Sequence, residues 1–207
     1  MNTVFESESL PLPLPPQYSN SRRQRIAGVF LSEAAIEEFN GVLRAVNDDA
    51  PRVDADQVIS LGRWLQSLPP KTAQATVHQR IARVERLRRM LLDGDWGVSA
   101  EFNRRARQMI DYISRPDDLI HDEIPIVGHL DDALLVELGW PALDGETRDY
   151  FDYCRFRRER KPRGTPNERR LAWEAECMAE VMRLRQKSEI RQRGYARTEP
   201  LTGLRVI

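Results

Sequence analysis

The chain has 207 residues, 41% hydrophobic and 31% charged, with 32 basic side chains against 32 acidic ones. That suffices for one core with appendages. Two cysteines exclude a disulfide-stapled scaffold, and no span approaches the ~20 consecutive apolar residues of a membrane-crossing helix.

Charge is unevenly placed. Asp111 to Asp152 holds twelve acidic residues against two basic ones, and Arg155 to Ile207 holds fifteen basic against seven acidic. Opposed blocks can pair internally, steer a partner or keep both surfaces hydrated. The start of the chain has no secretory pattern, so a cytoplasmic protein with reduced Cys154 and Cys177 is expected.

Residues 1–24 alternate proline with leucine and read as a disordered, polyproline-type tail. The N-terminal helices are expected over 25–97. Ser32 caps the first, with Ile36, Phe39, Leu43 and Val46 inward. Asp54 or Asp56 caps the second, which buries Val58, Leu61, Trp64, Leu65 and Leu68 before Pro69 and Pro70 stop it.

From Lys71 to Leu92, Val77, Ile81, Val84, Leu87 and Leu91 form an apolar stripe, with Arg80, Arg83, Arg86, Arg88 and Arg89 on the other faces. Neither helix-turn-helix spacing nor interleaved aromatic residues accompany this basic back, so nucleic-acid binding is not expected.

The region 98–160 reads as a helical hairpin. Ser99 caps a helix with Phe102, Ala106, Met109, Ile110 and Ile113 inward, and Pro116 stops it. A short buried helix over Leu134–Leu138 and another from Gly145 through Arg160 follow. In 161–207, Thr165-Pro-Asn-Glu168 has the form of a capping box. It opens a helix with Leu171, Ala175, Met178, Val181 and Met182 inward and a basic end.

The informative stretch is Asp117–Asp132, DDLIHDEIPIVGHLDD. Pro125 ends a turn and Gly128 lets the chain reverse, so two acidic pairs on short helix ends are expected to meet. Clustered carboxylates repel unless protons, donors or a cation compensate them. Three readings follow: capping carboxylates at a structural turn, a divalent-cation site, or a surface for a protein partner. The cation set is Asp118, Asp122, Asp131 and Asp132, with His121 or His129 shifting preference from magnesium, manganese or calcium toward zinc or iron. Arg183, Arg185, Lys187, Arg191 and Arg193 are candidate contacts for a partner or for anionic groups, including a membrane surface.

The run YISRPDDLIHDEIPIVGHLDDALLVELGW resembles the signature of the YkvA-like bacterial domain of unknown function. The shared positions are Asp118, Leu119, Ile120, Asp122, Ile124, Pro125, Gly128, Asp131 and Asp132, with His121 where that family has proline. The resemblance implies a small helical domain and carries no activity. Relatives regarded as membrane-associated have apolar flanks that this chain lacks.

No glycine-rich phosphate loop, GxSxG or Cys/His nucleophile pair is present. The expectation is an all-α, compact helical domain acting as a non-catalytic binding or scaffold protein. The alternatives are a divalent-metal-dependent hydrolase using the acidic cluster and a peripheral membrane-associated protein.

Overall fold

The computed structural model describes residues 12–16, 25–115 and 119–195, the side chains of 192–195 excepted. The fold is all-α, with one two-stranded hairpin, and divides into two units, Met1–Tyr150 and Phe151–Ile207.

The first unit begins with β1 (Arg25–Ile26) paired antiparallel to β2 (Val29–Phe30). Ala27 and Gly28 form the turn with φ of 49° and 88°, the left-handed pair that a two-residue hairpin requires. The expected scarcity of strand is otherwise borne out among the described residues. Within the proline-rich tail, Leu12 is buried and the Pro15 carbonyl accepts from Gln57 Nε2 at 2.7 Å. That part of the tail is docked, and residues 1–11 and 17–24 lie outside the described residues.

The expected caps are in place. Ser32 accepts from the Ala35 N–H to start α1 (Glu33–Val46). Asp54 and Gln57 complete a reciprocal capping box at α2 (Ala55–Ser67), satisfying two N–H groups that the helix leaves unpaired. Pro70 opens α3 (Pro70–Leu92), and Ser99 caps α4 (Ala100–Ile113).

A buried amide fastens α1 to the segment that leads into α2. Asn40 Nδ2 donates to the carbonyls of Ile36 and Val53, and its Oδ1 accepts from the Val53 N–H. At Gly62 in α2 the backbone leaves a socket. A Cβ there would sit 1.8 Å from Ile26 Cδ1, so the β-hairpin plugs its one fully enclosed side chain onto this glycine.

Helix α5 (Leu130–Gly139) is the centre of the unit and packs against α1, α3 and α4. Leu130, Ala133, Leu134, Leu135 and Val136 have no solvent exposure. A helix apolar on every side belongs inside a bundle, because each face removes carbon from water. Arg80 departs from expectation: it is buried rather than on the outer basic face of α3. Its Nε donates to Glu137 Oε2 at 2.8 Å and its guanidinium to the Thr76 carbonyl at 2.7 Å, so the charge enters the core with a counter-ion from α5.

After a 3₁₀ turn at Trp140–Ala142, α6 (Asp144–Arg160) runs across the boundary into the second unit. There Lys161 and Gly164, both at positive φ, turn the chain into α7 (Pro166–Tyr195). The capping box at Thr165 and Glu168 is present, with the Thr165 N–H donating to Glu168 Oε2 at 2.7 Å. Within this unit Tyr153 and Trp173 meet edge to face at 5.9 Å, and Arg160 pairs with Glu176.

The stripe expected to be the inner face of α7 is not buried. Leu171, Met178 and Met182 are 55%, 58% and 64% exposed, and Val181 and Ala175 are exposed as well. The helix instead turns Trp173, Glu176 and Cys177 toward α6, through the aromatic pair and the Arg160 ion pair.

Candidate functional site

The loop from Leu119 to His129 joins α4 to α5 and contains no helix; two short helices folded back to back do not form there. It is a series of tight turns. The Ile124 N–H bonds to the His121 carbonyl and the Gly128 N–H to that of Ile124, and Leu130 enters α5 with a bond to Val127. Pro125 thus follows a single closed turn, as its missing donor and fixed φ demand.

Gly128 is required by close approach. A Cβ on it would lie 2.3 Å from the Asp122 carbonyl oxygen and 2.8 Å from that of Ile124. The glycine therefore lets the Asp122 backbone fold directly onto the residue preceding His129. Ile126 takes a φ of 73°, a strained conformation for a β-branched side chain, and such strain persists only where surrounding bonds hold it.

The two aspartates of α5 have separate tasks. Asp131 is fully buried and points back toward α4: its Oδ2 accepts from the Tyr112 hydroxyl at 3.0 Å and from the N–H groups of Leu119 and Ile120 at 3.1 and 3.3 Å. One carboxylate thus holds the start of the loop against the end of α4. Its other oxygen, Oδ1, is buried without a hydrogen-bond partner among the described residues. Burial and the adjacent Asp132 carboxylate push Asp131 up from 3.8 to about 7, outweighing the lowering effect of the Tyr112 and backbone donors.

Asp132 faces the other way. His129 Nδ1 stands 3.3 Å from Asp132 Oδ2 and 2.7 Å from Asp122 Oδ1. The contact with Asp122 is a close approach without hydrogen-bond alignment at that oxygen. One donor atom from each of Asp122, His129 and Asp132 falls within 4.8 Å of the others. Two ligands held at ~2.1 Å from one cation are separated by about 3.0–3.4 Å, a range that the His129–Asp132 contact of 3.3 Å meets and the His129–Asp122 contact of 2.7 Å approaches. Asp132 is almost fully enclosed, while the His129 and Asp122 side chains are 40% and 31% exposed, giving a site with a closed floor and an open mouth. Imidazole with two carboxylates suits zinc, manganese or iron better than calcium.

No protein family, curated protein or solved structure matches this chain. The geometry is therefore the ground on which its chemistry is read.

Of the residues singled out in the sequence, the fold brings Asp122, His129 and Asp132 together and commits Asp131 to Tyr112 and the loop amides. His121 is exposed outside this trio, and Asp118 lies outside the described residues. Arg183, Arg185, Lys187 and Arg191 are exposed on α7, in the second unit; Arg193 lies in α7, but its side chain is outside the described residues. Tyr112 was not among the sequence candidates. Its signal is present in the spacing: it continues the inward positions Phe102, Ala106 and Met109 of α4, while Ile110 and Ile113, expected inward, are not among the buried residues.

Proposed function

We propose that this chain is a YkvA-like, non-catalytic binding protein of the bacterial cytoplasm whose α4–α5 loop takes up a divalent transition cation on Asp122, His129 and Asp132. The observation that carries this reading is the convergence of those three donors on a floor made by a buried aspartate. The loop supports a binding role because its backbone is held by Asp131 and Tyr112 independently of the trio. Such a site arrives nearly formed, so ligation would cost little ordering entropy. The resemblance of the Tyr112–Trp140 run to the YkvA-like signature supports the family part of this reading and carries no activity of its own.

Calorimetric titration of the whole chain with zinc, manganese and magnesium tests the reading. One site is expected, with at least tenfold weaker binding in Asp122→Ala and His129→Ala. Affinity should fall as the pH is lowered, since protons compete for the imidazole and the carboxylates. Heat-silent titrations with all three metals would refute it.

A second reading, a metal-dependent hydrolase, draws on the open mouth of the trio, where a coordinated water would be reachable. Metal-dependent turnover of model phosphodiesters or esters, absent from the metal-free chain, would favour it over the binding role.

A further inference from the structure

A cleft of about 440 Å³ opens in the first unit where the connection between α1 and α2 meets α4 and the end of α5. That volume lies within the ~300–1,000 Å³ of small-molecule sites. Its walls are held in place by the fold itself. The buried Asn47 donates from Nδ2 to the Leu138 carbonyl at 2.8 Å and accepts at Oδ1 from the Asp49 N–H at 3.2 Å, which ties the connection to α5.

Three carboxylates, of Asp48, Asp49 and Glu137, line the cleft with one guanidinium, of Arg105. That guanidinium is already engaged, with Asp48 Oδ2 at 2.9 Å and Glu101 Oε1 at 2.6 Å. Glu137 stands differently. Its Oε2 is held by Arg80, which is 1% exposed, while its Oε1 has no hydrogen bond among the described residues and the side chain is 31% exposed at the cleft wall. A buried ion pair adds little stability over an apolar pair of similar volume, so the core gains little from a glutamate in the apolar second half of α5. A ligand gains a charged acceptor on a rigid helix.

Three negative side chains against one positive select a cation. A metal ion does not fit, because among the described residues three ligand atoms converge within 4.8 Å only at Asp122, His129 and Asp132. An alkylammonium does fit: its three N–H donors can reach acceptors set apart from one another, and its carbon stem can lie on Leu138, Pro141 and Ala142. We infer that this cleft binds a small aliphatic amine, with an ammonium group on Glu137 Oε1 and the Asp49 carboxylate. The inference is independent of the cation reading, since Glu137 is near the end of α5 and the trio is at its start.

Calorimetric titration of the full chain with putrescine and spermidine, after dialysis against EDTA, is the test. One saturable site with a Kd below about 1 mM is expected, and butanol, which has the stem without the charge, should not bind. Asp49→Asn and Glu137→Gln should each weaken binding by about tenfold or more. Ala142→Leu, which fills the cleft without altering its charge, should abolish it. Circular dichroism melts check the fold of each variant. Where Glu137→Gln unfolds because Arg80 has lost its counter-ion, Asp49→Asn and Ala142→Leu decide. Silent titrations overturn the inference, as does an affinity that both of those variants leave unchanged. Heat that never saturates and disappears with added salt overturns it too, since the amines would then only screen the acidic surface.

Discussion

Helices α5 and α7 both offer apolar side chains at helical spacing, yet α5 is buried over most of its surface while the α7 stripe stays in water. The sequence around each explains the difference. Leu130–Gly139 is short, has its charges at 131, 132 and 137, and gives each of them a partner: Tyr112 and loop amides for Asp131, His129 for Asp132, Arg80 for Glu137. Its remaining surface is carbon, so three helices can close around it. In α7 charged residues occur throughout, and the chain leaves its apolar stripe exposed. Apolar periodicity names a face; the polar residues beside it determine whether the same chain can cover it.

The largest expected contrast lies in truncation. Leu134→Ala should lower the unfolding free energy by about 2–5 kcal/mol, because a buried leucine leaves a cavity the bundle cannot fill. Urea denaturation measures it directly.

A second break concerns the charges that α5 buries. Asp131 is raised from 3.8 to about 7 in the fold, so the native state holds more protons than the unfolded chain between those values. Its contribution is therefore full below about pH 4 and lost as the pH rises through 7, a change on the order of 4 kcal/mol. Asp131→Asn should flatten that slope relative to the native chain in thermal melts at pH 4, 6 and 8. An unchanged slope would show that Asp131 is ionised throughout.

Third comes the loop that leads into α5. Gly128→Ala forces a methyl against the Asp122 carbonyl and should cost about 1–3 kcal/mol, while displacing Asp122 and weakening zinc binding in the same protein. The smallest effect belongs to α7. Met178→Ala should change stability by less than about 0.5 kcal/mol in urea denaturation, because the side chain is exposed.

Much of the fold was legible in the chain because its signals are local. Ser32, Asp54, Ser99 and Thr165 each satisfy N–H groups within three residues, so their helices begin where the side chains dictate. The candidate site was legible in part. An acidic turn beside His129 could be seen, but which aspartate of the pair faces which way depends on the direction of α5's first turn inside the bundle. That direction is set by contacts with α1, α3 and α4, distant in sequence. Arg80 was misread for the same reason: only its partner Glu137, 57 residues away, makes its burial tolerable. The α7 stripe differs in the opposite sense, because spacing alone cannot tell a buried face from an exposed one.

The socket at Gly62 has a practical consequence for where this protein can be cut. Ile26 fills that depression from outside the helical bundle, so a recombinant fragment starting at Ser32, though it keeps every helix, would open a hole over α2 and wet Leu130 beneath it. The smallest autonomous piece of the first unit therefore starts upstream of the hairpin, and a bulky residue at 62 would mimic the deletion by evicting it.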